Sequence, residues 1–550
     1  MDGDRLNDST RHLSAGVYID AAFRDRIIKE VYLDRARRVV PSYGFDLEPV
    51  IFHARRALRH EMTCDLVLVA TIGAGLVAVP VPTVITLLLI LVWFVLRAGY
   101  RLSRDYLRYY FKRGTVDDLT HLQQRLKVVT WARRVLAVAV LAVVAAYGLA
   151  VSRNRLPPTA LDVQRLSTWL PHAAALLGVL VVAVVALATA QHLSIRSLRD
   201  GARYVRSPRG PRVAAIARQQ REPITIYSRF RPFIGSGIEL RTWSFVQRLI
   251  RVDRPGQAPH PKTEGGREWD TPPFRTADIV AFLEATFSAL TSDGDSETRL
   301  PGLRVRHHLF VAGTKTADLP EEVSTADPVQ VMGDPTGHLR HYLACQIESW
   351  DGEVVTTVYV HASIQGRMLY LEFSTWALPP TRYDFHVMDE PGGVGALAYL
   401  GRVVTRVLDL PDRMRTCVPR MSRTAASVVG AYFRGADHYD NRLRGIDIGA
   451  RLSARELGAG LDPEDEGRPT PNAGITYFQN RDVRRYAKVI ERRLLSGVLD
   501  FLEENGVDVS EYRQRMVSIL NIGAVNYGPG TVNVENSAIG EGATVYNSQG

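Results

Sequence analysis

Few residues in this chain have types and spacings that could carry chemistry, and the most suggestive group is Gly235-Ser236-Gly237. It follows a predicted strand, Ile224 to Tyr227, and glycines beside a serine let backbone amides approach an anion. It is not a nucleophile elbow, because Ile234 stands two residues before the serine, and no Gly-Lys-Ser/Thr follows to make a P-loop. The segment is either a ligand turn or, the interpretation we favour, an ordinary structural turn.

The histidines and carboxylates offer no recognisable reactive set. His307-His308 and the pair His338 and His341 are the close histidines, and on one strand the second pair would point to opposite faces. The acidic run from Tyr383 to Glu390 lacks a partner at acid/base spacing. We therefore predict no catalytic residue, no metal site and no cofactor, and we favour a non-enzymatic protein.

Uncharged stretches indicate a membrane protein. Trp169 to Ala190 is long enough to cross a ~30 Å hydrocarbon core as one helix, and a run of arginines from Arg196 to Arg212 follows it. Val135 to Val151 is shorter and is predicted as a second span. The loop between them holds fewer basic residues than either flank, which predicts that both termini are cytoplasmic. The predicted location is the plasma membrane, with several spans.

Leu66 to Leu96 is also uncharged, and Pro80-Val81-Pro82 interrupts it. As one helix it would be about 46 Å long, which is too long for a simple span. Prolines favour a turn, so we predict a hairpin of two short helices that either dips into the bilayer or crosses it twice. Gly73 and Gly75 would let the arms approach closely.

Basic residues crowd the flanks of these apolar stretches, and the chain carries a net charge of +10. The expected partner is therefore anionic lipid headgroups. Nucleic acid is not expected, because no binding motif accompanies the charge. The connector after the hairpin is either an interfacial helix or a plain cytosolic one. The predicted headgroup contacts are Arg101, Arg104, Arg108, Lys112, Arg196, Arg199 and Arg203.

The region after the spans has the pattern of a soluble α+β domain. Alternating apolar residues predict strands at Leu303 to Val311, Arg340 to Trp350, Glu353 to Ser363 and Arg367 to Trp376. Asp-Gly and Gln-Gly turns join the last three, which predicts an antiparallel meander. Helices are predicted at Thr276 to Leu290, Ala396 to Leu408 and Arg481 to Asn505. The charged, Gly- and Pro-rich segment 435–475 is predicted as a loop or a partly ordered segment.

The last thirty residues alternate short β-branched runs with Asn and Gly. This composition is typical of stacked strands, so we predict that Asn521 to Asn547 stack and support a homo-oligomer. Ile522, Val534 and Ile539 are the predicted self-association residues. The alternative is a disordered tail.

The predicted fold is a helical membrane region, consisting of a hairpin plus two spans, followed by a cytoplasmic α+β region with an antiparallel meander and a β-prone C-terminal tail. In chain order we predict an N-terminal cytoplasmic helical segment (1–63), the apolar hairpin (64–98), a basic amphipathic connector (99–134), two transmembrane helices with a short outer loop (135–192), a basic juxtamembrane segment (193–221), the α+β domain (222–515) and the tail (516–550).

Three functions suit this organisation. The favoured one is a non-enzymatic membrane anchor, either an assembly or a signalling scaffold, with a cytoplasmic interaction domain. The alternatives are a membrane-perturbing effector of a bacterial defence system and a membrane-anchored enzyme or small-ligand sensor.

The three cysteines are far apart and suggest no disulfide framework.

Several segments resemble an uncharacterised family of multi-spanning membrane proteins of high-GC Gram-positive bacteria. They are Tyr32 to Ala54, Pro232 to Trp243 and Leu369-Tyr370-Leu371-Glu372. The resemblance implies the architecture above and no activity. Separately, the tail is similar to the Asn/Gly/Val-rich C-terminal segments of bacterial conflict and signalling proteins, some of which resemble amyloid signalling motifs.

Overall fold

The structure, a computed structural model, describes residues 5–112, 163–199, 210–252, 271–292, 298–317, 326–433, 444–461 and 474–522, together with residues 130, 134, 267, 269 and 319. The chain divides into two compact units. The α+β unit comprises Met1–Phe52, Arg203–His386 and Arg434–Gly550, and the helical unit comprises His53–Ala202 and Val387–Phe433.

The helices of the described residues are α1 (Asp8–Ile19), α2 (Ala21–Arg26), α3 (Leu47–Ala78), α4 (Pro80–Lys112), α5 (Val163–Arg199), α6 (Pro211–Gln219), α7 (Thr276–Ala289), α8 (Pro328–Gly333), α9 (Ala396–Leu408), α10 (Leu410–Phe433), α11 (Ala454–Gly458), α12 (Tyr477–Glu504) and α13 (Ser510–Ile522). The strands are β1 (Ile224–Tyr227), β2 (Ile238–Arg248), β3 (Arg304–Ala312), β4 (Arg340–Ser349), β5 (Val354–Gln365) and β6 (Met368–Leu378).

These strands form one sheet in the order β1-β3-β4-β5-β6-β2. β1 pairs with β3 in parallel and the other pairings are antiparallel, which confirms the predicted meander of β4, β5 and β6. The meander's first turn passes through Trp350, Asp351 and Gly352, all with positive φ. One sheet face is apolar and packs against α7 and α12 through residues such as Leu283 and Leu494. That packing supplies the hydrophobic core of the α+β unit.

In the helical unit, α3, α4 and α5 are long and apolar enough to cross a membrane, judged by length and composition. The predicted hairpin is confirmed. Leu68 of α3 and Ile90 of α4 pack in the same cluster as Leu180 and Val184 of α5, so the chain must fold back at Val79. Pro80 begins α4, where its missing N–H costs little.

The prediction of short hairpin arms is wrong, because α3 and α4 have 32 and 33 residues. The helices continue into charged sequence on both sides of the apolar run, since a helix needs neither an apolar nor an uncharged surface to propagate. A Cβ on Gly75 would lie 2.5 Å from Thr83 Oγ1, as a close turn requires, whereas Gly73 faces open space. The predicted span Val135 to Val151 lies outside the described residues.

Two segments of the α+β unit differ from their predictions. Residues 444–461, predicted as part of a loop, include α11, whose Arg455 and Glu456 are fully buried. At the C-terminus, Asn521 and Ile522 end α13 instead of beginning a strand, because the apolar spacing of Met516, Ile519 and Leu520 packs them against the core as a helix. Val534 and Ile539 lie outside the described residues.

Candidate functional site

The second face of the sheet carries most of the polar side chains that could form a site. Alternate residues of a strand point to the same face, so Arg304, Arg306 and His308 of β3 lie on this face. Gln346 of β4 stands opposite Arg304 and beside Thr357 of β5. Polar groups on three neighbouring strands are thereby brought together.

A cavity of about 390 Å³ lies against this face. Its walls come from the sheet and from two segments that flank it, residues 41–43 and 220–223. Gln346 is buried, and its Nε2 atom has no hydrogen-bond partner among the described residues. A buried amide donor without an acceptor is costly, so this atom points to a missing partner such as a ligand or a water molecule.

The charges around the cavity favour an anion. Arg304 pairs with Glu348 at 2.8 Å and Glu222 is paired with Arg38, so those carboxylates are already neutralised. Arg306 is exposed and forms no ion pair within the part of the chain that the structure describes. A guanidinium left without a carboxylate at the edge of a polar cavity can bind a phosphate or carboxylate group of a ligand.

The interior of the cavity is neutral at physiological pH. His308 Nε2 lies 2.9 Å from Thr225 Oγ1, and burial lowers the pKa of His308 to about 3. Burial likewise raises the pKa of Tyr43 well above its usual range, with further contributions from Tyr359. The neutral imidazole and the phenol therefore offer hydrogen bonds without charge.

The predicted ligand turn lies nearby, but its amides are already used. Gly235 N and Gly237 N donate to Glu456 Oε1 at 2.8 and 3.1 Å. Gly237 has a φ of 91°, and a Cβ there would lie 2.3 Å from the Ala377 carbonyl oxygen, so only glycine fits. The turn does bind a carboxyl group, and that group is a side chain of the same protein.

Ser236 and Glu456 are both held by further contacts. Ser236 Oγ lies 2.9 Å from Tyr359 OH, and Arg231 reaches Glu456 Oε2 at 3.3 Å. Burial raises the pKa of Glu456, while Arg231 and the two glycine amides act in the opposite direction. Sequence reasoning missed Glu456 because it lies some 220 residues after the turn that it fills.

A second cluster joins α1 to the sheet. His12 Nδ1 lies 2.6 Å from Glu353 Oε1, His386 stacks on His12 with ring centroids 3.8 Å apart, and Thr381 N donates to Glu353 Oε2 at 2.7 Å. The ligand atoms of His12, Glu353 and His386 lie within 4.8 Å of one another, so they could hold a metal ion. Burial raises the pKa of Glu353, but the contacts with His12, Arg455 and Thr381 outweigh it and leave the pKa at about 2.

The contacts of Glu353 indicate that the second cluster serves to hold the fold together. The cavity on the polar face of the sheet is the better candidate for a functional site. Thr381 and His12 already satisfy the Glu353 oxygens, and Arg455, which is fully buried, adds a positive charge 3.8 Å from Oε2. A nearby fixed cation weakens the binding of a metal cation.

The histidines pair differently from the sequence prediction. His307 and His308 point to opposite faces of the sheet, and His307 Nδ1 lies 2.8 Å from His341 Nε2. The other ring nitrogen of His307 lies 3.2 Å from Glu284 of α7. His338 precedes β4, so the odd-spacing argument for His338 and His341 does not apply.

Some of the predicted headgroup residues contact protein. Arg101 pairs with Asp412 at 2.7 Å. Arg196 and Arg199 line a cleft beside α9, together with His192 and Tyr399. The structure gives an exposed position for Arg104. The side chains of Arg108 and Lys112, and the whole of Arg203, lie outside the described residues.

Comparison with known proteins gives one match. The AbeC-like domain family model matches residues 242–534, which is more than half of the chain. The matched range includes β3 to β6 and most of β2, and therefore the polar sheet face, together with Glu353 and Glu456. No curated protein and no solved structure matches the chain. The chain belongs to the AbeC-like domain family.

Proposed function

We propose that this protein is a membrane-anchored binding protein, in which the apolar helices fix the chain in a bilayer and the α+β unit binds a small anionic molecule. The observation that carries the proposal is the polar cavity, with the unpartnered Gln346 amide inside it and Arg306 at its edge. A sensor of this kind unites two of the functions considered from the sequence, the anchored signalling scaffold and the small-ligand sensor.

The membrane part of the proposal is a multi-pass protein of the plasma membrane with cytoplasmic termini. In the helical unit, Thr86 Oγ1 donates to Ala173 O at 3.2 Å. Thr86 lies shortly after the hairpin turn, and Ala173 lies shortly after the start of the apolar part of α5. The hairpin turn therefore lies level with the N-terminal end of the α5 span, which is the end opposite to Ala190. This position favours a hairpin that crosses the bilayer twice.

Cysteine labelling tests this topology in intact cells. A cysteine at Ala160 should react with a membrane-impermeant maleimide, and a cysteine at Ser207 should react only after the cells are opened. The native cysteines are buried, so the unsubstituted protein gives the background. Labelling of Ser207→Cys from outside would contradict the topology.

The binding part is tested by thermal unfolding of the full chain in detergent, with phosphate, pyrophosphate and adenosine monophosphate as probes. At least one should raise the melting temperature, because a ligand that binds only the folded state stabilises it. Arg306→Ala should weaken that binding about tenfold, the cost of one charged hydrogen bond.

The control variant for this experiment is Arg451→Ala, which removes another exposed arginine that does not line the cavity. It should leave the shift unchanged. Melting temperatures that no probe raises, or an equal loss in both variants, would contradict anion binding at this cavity.

Self-association through the tail remains a second proposal, based on the composition of residues 523–550. It should be measured on the full chain, because residues 1–52 belong to the α+β unit and a fragment starting at residue 222 would lack them. Light scattering in detergent should give a larger mass for the full chain than for a chain ending at residue 522. Equal masses would leave the tail without a role in assembly.

A further inference from the structure

The apolar side of helix α9 is exposed on the surface of the helical unit. Its exposed side chains include Leu397, Leu400, Val404 and Leu408, with Leu397 85% exposed. Their spacing of three and four residues forms one stripe along the helix. None of the exposed positions of α9 is charged. A helix in water turns such a stripe toward the protein.

The polar side of α9 packs inward, against α5. Tyr399 OH lies 2.9 Å from Thr189 Oγ1, and Arg402 Nη1 lies 2.9 Å from His192 Nδ1. Arg406 donates to Gln191 Oε1 at 3.1 Å. All of these α5 residues lie at the point where its apolar stretch ends at Ala190. The helix α9 is therefore anchored at the end of the α5 span.

The ends of the other two apolar stretches meet the same pair of helices, α9 and α10. The stretch in α3 begins after Asp65, which is fully buried and pairs with Arg413 and Arg420, each at 2.7 Å. The stretch in α4 ends before Arg97, which pairs with Asp409 at the junction of α9 and α10. Three separate polar-to-apolar boundaries thus coincide at one level of the helical unit.

We propose that α9 lies in the interface of the bilayer, with its apolar stripe inserted at the boundary between headgroups and acyl chains. The inference rests on the proposed function, because it takes α3, α4 and α5 to lie in that bilayer. The occupant of the stripe is lipid, since α9 is anchored on residues 189–192 of α5, where the apolar stretch of that span ends and the hydrocarbon core gives way to the headgroups. An in-plane helix at this depth is a known way to hold a protein at an interface.

Spin labels on the full chain in phosphatidylcholine–phosphatidylglycerol vesicles test this placement. A nitroxide at Val404→Cys should collide often with oxygen, which concentrates in lipid, and rarely with a water-soluble nickel chelate. A label at Val182→Cys, an exposed position of α5, serves as the membrane reference. A label at Val329→Cys, an exposed position of α8, serves as the water reference.

The expected result is a chelate collision rate at Val404 clearly below that at Val329 and above that at Val182, because the stripe lies at the boundary of the hydrocarbon core and Val182 lies near the middle of the span. A Val404 label that behaves like Val329, while Val182 reports lipid, overturns the interfacial helix and leaves the membrane anchor intact. If Val182 itself reports water, the membrane anchor is wrong. A Val404 label shielded from both reagents shows a protein partner and also overturns the inference. Leu397→Cys repeats the test if Val404→Cys does not fold.

Discussion

Replacing Glu456 with alanine should destabilise the α+β unit by about 4 kcal/mol, because two backbone amides lose their acceptor at a cost of about 1–3 kcal/mol each. The substitution leaves the amides of Gly235 and Gly237 without their acceptor and removes the carboxylate that Arg231 contacts. A change of this size lowers the melting temperature of a unit this large by about 10 °C. Thermal unfolding of the full chain in detergent measures it.

Glu456→Gln is the matched control. Glutamine keeps a carbonyl oxygen that both glycine amides can reach, and burial already disfavours the charged carboxylate, as its raised pKa shows. The amide variant should therefore melt close to the unsubstituted protein. If the glutamine variant is as unstable as the alanine variant, Glu456 stabilises the fold through its ion pair with Arg231 and not through its hydrogen bonds to the turn.

Mild acid should destabilise the α+β unit. Burial lowers the pKa of both His308 and His341 to about 3, and neighbouring histidines add to the shift at His341. The unfolded chain binds protons at these histidines near pH 6.5, whereas the folded protein does so only near pH 3. Their contribution to stability is therefore complete above pH 6.5 and falls as the pH drops toward 3.

At pH 5 this mechanism should cost about 2 kcal/mol per histidine. Glu353 does not add to the loss there, because its pKa of about 2 places its titration below pH 4.5. Melting temperatures at pH 7.5 and pH 5 measure the effect, and His308→Gln should reduce the difference by the contribution of one histidine, about 2 kcal/mol at pH 5. A pH dependence that is unchanged in His308→Gln would show that other groups cause the loss.

Local elements could be predicted from the sequence where the pattern is strong. The meander follows from alternating apolar residues joined by Asp-Gly and Gln-Gly turns, and β1 and α9 have the predicted bounds. The polar residues at positions 304, 306 and 308 of β3 carry a signal of the same kind, because alternate residues on one strand must share a face. This alternation of polar residues in β3 was enough to predict the polar face of the sheet from the sequence.

The contacts that complete the candidate site could not be predicted, because they join distant segments. Glu456 lies in a charged, Gly- and Pro-rich stretch whose composition predicts a loop. In the structure it is buried and accepts hydrogen bonds from a turn more than two hundred residues earlier. His12 likewise meets Glu353 across most of the sequence. Residue types alone do not say which charges pair in the interior, since the fold selects the partners.

Hydrogen exchange of the full chain in detergent, with and without the most stabilising of the three anions, tests the central claim most directly. The account predicts slower exchange in residues 41–43, 220–223 and 304–308 and in the facing part of β4, because these segments border the cavity. Exchange near Gly235 and near His12 should not change. Protection centred on His12 and His386, or on none of the cavity segments, would contradict ligand binding at the polar face of the sheet.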